Sequence, residues 1–432
     1  MRPRIALLPW GDVIEDFLDP LGLGLSEFRD VMSGGWLFGY VEALQSAGVD
    51  AAVVCFSREV RSPKRWQHRP TGGEMIVLPV PRVAMRLRAS LAAPLAWDPR
   101  EASRRPGRIG FLTAQPAYQL GPYLATPLRL LAREARRDGW RAIVCQDYEY
   151  QRSDLCAVLT RLLRVPAIAT FQGGGHTRTS LERLVRPLTI RLWTRLIVAS
   201  SEERERVRLT YGVPPERIAE VPNPLAVERW SSGKRDRARR ELGIPSDAVV
   251  VAWHGRLDLH GKGLDLLLAA WRALGDGPET VDRRLLLVGT GPDAPLLQAE
   301  LEDPALEHIV WINEYVMDKP RLADLLAASD LYAFPSRHEG FPVAPLEAMA
   351  AGLPVVASDT AGVPELLPGG RRSGGVIVPV NDGPALTAAI AELLSQPDER
   401  KRLGGLARQR AIEGFSSQAI GQRLRRVILQ EE

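Results

Sequence analysis

Two glutamates with seven residues between them, Glu339 and Glu347, frame the segment His338-Glu-Gly-Phe-Pro-Val-Ala-Pro-Leu-Glu347. The spacing alone carries no information, because Glu220 and Glu228 repeat it by chance. The surroundings do. Leu331–Phe334 reads as a strand and Gly340 ends the loop after it. A helix is expected from about Val343, with Pro345 tolerated in its first turn and Gly352 stopping it. Glu339 is therefore expected at the carboxyl edge of a strand beside a helix N-terminus. Ligands of α/β sheets bind there, and free backbone N–H groups hold hydroxyls or anions. Glu347, about one turn into the helix, is expected to face the same crevice.

A second segment, His254-Gly-Arg-Leu-Asp-Leu-His-Gly-Lys-Gly263, lies between an apolar strand and the expected helix Leu264–Leu274. Arg256 and Lys262 flank its glycine-rich turn, and two cations beside helix N–H groups suit a diphosphate. The chain has 51 Arg and only 5 Lys, a bias that reads as a GC-rich genome. Lys262 runs against that bias, and a compact ammonium is chemically unlike a guanidinium fork. A third segment, Leu285-Leu-Leu-Val-Gly-Thr-Gly-Pro-Asp-Ala294, carries G-x-G-x-x-A after a strand, with Glu314 at about the distance of a ribose-binding acid. Taken alone it would mark an NAD-dependent oxidoreductase. It falls on an inner strand, however, not at the start of a domain where that fingerprint belongs.

The elements that must position these residues alternate between strand and helix along the whole chain. Arg4–Trp10, Asp50–Phe56, Met75–Val80, Arg141–Cys145, Ala167–Phe171 and Leu196–Ala199 read as strands. Helical stretches such as Trp36–Ala47, Leu128–Arg136 and Asp154–Leu163 lie between them. Val221-Pro-Asn-Pro-Leu225 breaks the pattern with two prolines. It then restarts with Ala248–His254, Leu285–Val288, Ile309–Ile312, Leu331–Phe334, Pro354–Ala357 and Val376–Val380. The expected fold class is α/β, with two doubly wound parallel sheets in series over 1–223 and 224–415. The amphipathic stretch 416–432 is expected to cross back to the first domain. The segment Gly11–Ser33 reads as a long lid or substrate loop, since connections usually run ~2–6 residues.

With 45% hydrophobic and 25% charged residues, the composition excludes a mostly disordered chain or a disulfide scaffold. No apolar run approaches the ~20 residues of a membrane span, and the N-terminal apolar run Ile5–Leu8 is short for a signal peptide. Cys55, Cys145 and Cys156 lack metal-ligand spacing, so a reducing cytoplasm is the expected compartment. The net charge of +4 is uneven: residues 1–223 hold 32 Lys/Arg against 23 Asp/Glu, the remainder 24 against 29. The basic half suits an anionic partner. No nucleic-acid module accompanies it, so nucleic acid is not expected. Arg82, Arg86, Arg88, Arg100, Arg104, Arg105 and Arg108 surround an apolar middle with Trp97, a pattern that suits peripheral contact with an anionic membrane.

Together the three segments resemble the family 4 glycosyltransferases, retaining enzymes of GT-B fold, over nearly the whole chain. The most specific part runs from Arg321 to Leu367, through Ser329-Asp330, Pro335-Ser-Arg-His-Glu-Gly-Phe341 and Glu347-Ala-Met-Ala-Ala-Gly-Leu-Pro354. The six-residue step from Arg256 to Lys262 is similar to the family's basic pair on the donor diphosphate. Gly34-Gly35 is similar to its N-terminal glycine loop, and Val221-Pro-Asn223 to its interdomain linker. The resemblance implies two Rossmann-like domains facing a central cleft. It places Glu339 at the transferred sugar, with backbone groups of Gly340, Phe341 and Pro342 on its hydroxyls. Glu347 would bind the ribose, Gly289, Asn313 and Val316 would line the nucleotide, and Gly35 would approach the donor phosphates.

The implied reaction is transfer of a hexosyl group from a UDP- or GDP-sugar to a glycan, lipid-linked or small-molecule acceptor, with no cofactor. No metal is expected either, since the sequence contains no Asp-x-Asp and Arg256 and Lys262 would supply the charge. Where many family members carry a His after the strand that here is Ala167–Phe171, this chain has Gln172, followed by Gly173-Gly-Gly175 and His176. Gln172 or His176 is then the expected acceptor-side residue. Besides the transferase and the NAD-dependent reading, a sugar-nucleotide-binding protein without catalysis remains an alternative, resting on Gln172.

Overall fold

The computed structural model describes residues 2–9, 11–19, 22–92, 101–103, 107–171, 179–230, 233–275 and 282–431. The chain divides into two compact units, Met1–Pro222 with Ile420–Glu432, and Asn223–Ala419.

Among the described residues the first unit has eight strands: β1 (Arg4–Leu8), β2 (Asp50–Ser57), β3 (Lys64–Gln67), β4 (Glu74–Pro79), β5 (Ala142–Gln146), β6 (Ala167–Thr170), β7 (Arg195–Val198) and β8 (Ile218–Glu220). They order as β3-β4-β2-β1-β5-β6-β7-β8 and pair in parallel except for the β3–β4 hairpin. The central strands are unbroken apolar runs because helices cover both faces, leaving no solvent side for polar residues to alternate onto. One face packs Ala52, Val54, Ile76 and Ile143 against the helices Leu128–Asp138 and Gln151–Leu163. The other packs Ile5, Leu7, Val53 and Val144 against the helix Gly35–Ser46 and the C-terminal helix Ser417–Leu429.

That last helix buries Ile420, Leu424 and Ile428, a single stripe at four-residue spacing, in the first unit's core. Gly421 permits the crossing: a Cβ there would lie 2.0 Å from the Ala43 carbonyl oxygen. Arg423 donates to the Glu220 carbonyl at 2.6 Å and Arg425 to that of Ala47 at 2.8 Å.

The segment Gly11–Ser33 is not an open loop. It folds into two short helices, Glu15–Leu18 and Leu25–Asp30, and inserts Val13, Ile14, Leu18, Leu25 and Phe28 into the core. At the point where the first sheet reverses its strand order, between β1 and β5, the loops are clamped by buried polar groups. Tyr150 donates to Asp12 at 2.6 Å, and Arg152 donates to the carbonyls of Pro9 at 2.5 Å and Asp12 at 3.1 Å. Arg88 pairs with Asp16, whose carboxyl is pushed up to about 6 by burial despite that partner. Arg88 is thus committed inside the unit. Arg82 and Arg86 stand exposed, whereas Arg100, Arg104 and Arg105 lie outside the described residues.

Among the described residues the second unit has six parallel strands: β9 (Val249–His254), β10 (Arg283–Val288), β11 (Ile309–Ile312), β12 (Leu331–Phe334), β13 (Val355–Ser358) and β14 (Gly375–Val378). Their order is β11-β10-β9-β12-β13-β14. Counted from β9 this is 3-2-1-4-5-6, the doubly wound order, and its switch point lies between β9 and β12. Both units are Rossmann-like, the architecture of GT-B enzymes. The three cysteines are free and buried. No helix among the described residues is long and apolar enough to cross a membrane.

Candidate active site

The two segments singled out by their chemistry meet at the switch point of the second sheet. The loop after β9 carries Arg256 and Lys262, and the loop after β12 carries Glu339. Because β9 and β12 are hydrogen-bonded neighbours, residues 77 apart in the chain come into contact: Lys262 Nζ lies 2.7 Å from Glu339 Oε1. Ser336 Oγ, on the same loop, donates to that oxygen at 2.6 Å. Arg337 ties the two loops from the outside. It grips both oxygens of Asp265 at 2.6 and 2.7 Å and donates to Asn381, an asparagine with no assigned role in the sequence.

Glycines set how closely these loops approach. Gly263, at φ +67°, starts the helix Leu264–Leu274, and a Cβ on it would fall 1.9 Å from the Pro335 carbonyl oxygen. A Gly263→Ala variant is expected to lose at least ~2 kcal/mol, from the left-handed backbone and the collision together. Thermal melting checks this; an unchanged midpoint would mean the loops are not held in contact. Gly289 and Gly291 have the same function at the next strand. Cβ atoms on them would lie 1.9 Å from the Gly255 oxygen and 2.2 Å from the Leu257 oxygen. The G-x-G run is thus accounted for by loop-to-loop packing on β10, away from the first βα turn that a dinucleotide fingerprint requires.

Glu347, on the helix Ala344–Ala350, is buried and fully engaged. His254 Nε2 lies 2.8 Å from its Oε2 and Lys319 Nζ 3.0 Å from its Oε1. Burial would raise its carboxyl, but the Lys319 charge and the His254 hydrogen bond outweigh that and hold it below the ordinary carboxylate range. Lys319 is correspondingly held above its ordinary value: burial opposes its charge, and Glu347 more than compensates. With the ionised carboxylate accepting, His254 Nε2 carries the proton, and its Nδ1 is buried with no partner among the described residues.

The remaining expected residues are placed unequally. Phe341 is buried, its ring 6.0 Å from Phe415, and Pro342 is buried beside it. Gly340 precedes them, half-buried, on the Glu339 loop. Trp311 Nε1 donates to the Gly289 carbonyl at 3.0 Å, which brings the end of β11 and the following Asn313–Val316 stretch toward Gly289. Asn313 is exposed and Val316 half-buried. The Arg256 side chain is 72% exposed and reaches only to 3.9 Å from Asp258, so it does not join the Lys262–Glu339 pair. Gly35 is the first residue of the helix Gly35–Ser46 in the first unit, preceded by Gly34 at φ +71°. Gln172 and His176 lie outside the described residues.

Sequence reasoning passed over Lys319 and His254. The signal for Lys319 was available, since it too is one of the five lysines. His254 closes an apolar strand and matched no motif.

The family model described as Glycosyltransferase Family 4 matches residues 37–229, and that described as Glycosyl transferases group 1 matches residues 248–396. An alpha-maltose-1-phosphate synthase of Mycolicibacterium smegmatis is 30% identical over 56% of this chain and 64% of its own length. A D-inositol 3-phosphate glycosyltransferase of Saccharomonospora viridis is 33% identical over 50% of this chain and 51% of its own. The matched stretch thus spans about half to two thirds of these curated relatives. Among solved structures, the sucrose-phosphate synthase of Thermosynechococcus elongatus superposes with a TM-score of 0.67 at 21% identity, covering 99% of both chains.

Proposed function

We infer the reaction from one premise: the chain belongs to the family 4 glycosyltransferases. It transfers a hexosyl group from a UDP- or GDP-sugar to an acceptor hydroxyl, with retention at the anomeric carbon. The observation that carries this reading is the Lys262–Glu339 pair at the switch point of the second sheet. The bond from the anomeric carbon to the diphosphate oxygen breaks, the acceptor oxygen bonds to that carbon, and the acceptor's proton passes to the departing diphosphate. Lys262, with the N-terminus of Leu264–Leu274, stabilises the negative charge that builds on the diphosphate. Arg256 is long and exposed enough to swing onto the same group. Glu339 accepts from hydroxyls of the sugar, and backbone groups of Gly340, Phe341 and Pro342 hold it from the other side. Glu347, fixed by Lys319 and His254, takes the ribose, while Gly289, Asn313 and Val316 line the nucleotide. The +9 balance of residues 1–223 favours an anionic acceptor, and both relatives carry a phosphate ester in their names.

In this reading Lys262 and Arg256 supply the charge that a divalent ion supplies elsewhere, so EDTA is expected to leave the rate within about twofold. Strict dependence on an added metal would overturn that part. The decisive experiment is a donor screen by mass spectrometry with UDP- and GDP-sugars, alongside binding of UDP, GDP and NAD. Transfer or slow hydrolysis of one donor is expected. Tight NAD binding without UDP or GDP binding would sink the reading, and nucleotide-sugar binding without any turnover would leave a binding protein in its place.

A further inference from the structure

A cavity of about 510 Å³ opens at the edge of the first sheet where β1, β2 and β4 begin and β3 ends. Ligands of α/β sheets ordinarily bind at the opposite, carboxyl edge, so this cavity is separate from the sheet's switch point. Its volume lies within the ~300–1,000 Å³ typical of small-molecule sites.

The hairpin between β3 and β4 keeps the space open. Gly72, at φ +66°, and Gly73 carry the turn into β4 without side chains. A Cβ on Gly73 would lie 3.4 Å from the amide nitrogen of Gln45 and 3.0 Å from Val41. Any larger residue would crowd the wall that Gln45 forms. Gln67 stands exposed at the rim and donates to the Gly72 carbonyl at 3.3 Å. Trp66 packs partly on the core of the unit and lines the cavity with the remainder of its side chain.

The charges of the lining select the ligand. Arg4 and Arg65 face Asp50 and Glu74, so the lining is balanced. Arg65 donates to Glu74 at 2.8 Å, to Asp138 at 2.9 Å and to Glu134. Arg4 pairs with Glu74 and lies 3.6 Å from Asp138. An anion would find both guanidiniums already held by carboxylates. A metal ion would find no cluster of three or more ligating side chains among the described residues. The amides of Gln45 and Gln67 each carry a donor and an acceptor, and the fixed Arg4–Glu74 pair offers both as well. Beside them stands one aromatic side chain. Sugars match that set: hydroxyls that both donate and accept, no net charge, and a face of C–H groups that suits the negative face of an aromatic ring. We propose that this cavity is a saccharide-binding site, holding a neutral polyhydroxylated ring against Trp66 by hydrogen bonds to Gln45, Gln67 and the Arg4–Glu74 pair. The inference needs the first unit alone and does not rest on the reaction proposed above.

Saturation-transfer NMR and calorimetric titration of the full chain test it. The neutral probes are glucose, maltose and myo-inositol. Glucuronate and glucosamine, which keep the ring of glucose and add a charge, are the controls. At least one neutral probe is expected to bind, and each charged ring to bind more weakly than glucose. Variants locate the site. Gln45→Ala and Gln67→Ala are each expected to weaken binding about fivefold, the worth of one neutral hydrogen bond. Trp66→Leu is expected to weaken it by at least about fivefold. Gln67 is exposed, so its variant should melt like the parent and keeps the test valid should Trp66→Leu unfold. Lys262→Ala, altered in the second unit, is expected to bind the probe like the parent. Failure of all three neutral probes would overturn the proposal, as would parental binding by both glutamine variants. Tighter binding of glucuronate or glucosamine than of glucose would overturn the neutral class. Binding lost in Lys262→Ala but kept in the glutamine variants would assign the sugar to the second unit instead.

Discussion

Lys262→Ala is expected to melt like the parent and to transfer about a hundredfold to a thousandfold more slowly, the range for deleting one charge-stabilising donor from a reaction site. The lysine is about a quarter exposed, and its partner keeps another support: Ser336 Oγ still donates to Glu339 Oε1 at 2.6 Å. Removing the ammonium therefore does not strand a buried carboxylate, and the cost in stability is small. The cost in rate is large because the leaving diphosphate loses a cation that was already in place. Lys262→Arg separates charge from geometry. A guanidinium restores the charge but is planar and longer, so it does not reproduce the compact ammonium's placement on Glu339. Partial recovery is expected, below the parent and above the alanine variant. Release of nucleoside diphosphate at saturating donor measures all three. A parental rate in folded Lys262→Ala would refute the diphosphate role.

Much of this geometry was legible in the residues, for identifiable reasons. Parallel strands covered on both faces are continuous apolar runs, so Ala248–His254 and Leu331–Phe334 announced themselves. Glycines that end helices marked the boundaries, as Gly352 does at φ +84° after Ala344–Ala350. The order in which strands lie beside one another is not written in that alternation. Lys262 and Glu339 meet because β12 pairs with β9, a choice made by crossover packing and not by any local pattern.

Short elements were hidden for a different reason. The helices Glu15–Leu18 and Leu25–Asp30 have too few turns to display a period, so Val13, Ile14, Leu18, Leu25 and Phe28 read as residues of a loop although they are core. The hairpin strand Lys64–Gln67 is charged and polar because it is an edge. The helix Ser180–Thr189 shows the limit of periodicity most clearly. Its amphipathic pattern is plain, but which face turns inward is decided by Asp154, twenty-six residues before Ser180 in the chain and able to pair with Arg186 only once the unit folds.

Glu347→Ala is expected to be the most destabilising single change at the site, by about 3–5 kcal/mol, because it removes the buried carboxylate and leaves the Lys319 ammonium without its counter-charge. The carboxylate accepts from both His254 and Lys319, so its loss strands a buried ring nitrogen and an ammonium together. The pH dependence has a definite sign. Glu347 is held below its ordinary value of 4.5, so its contribution is present above that value and fades as pH falls through the depressed one. Lys319 is held above its ordinary value of 10.5, so its contribution is present below that and fades as pH rises through the raised one. Between them lies a plateau covering the neutral range. The gap in melting temperature between parent and Glu347→Ala should therefore be constant near neutrality and close in acid. Glu347→Gln should fall between the two. Its amide oxygen still accepts from Lys319, while its NH2 suits His254 only after the ring proton moves to Nδ1, which is buried without a partner among the described residues. Melting curves from pH 7 down to about 3 decide the matter. A gap that persists unchanged in acid would mean Glu347 stabilises by packing and not by charge, and would remove the basis for treating it as a fixed, ionised acceptor for the donor ribose.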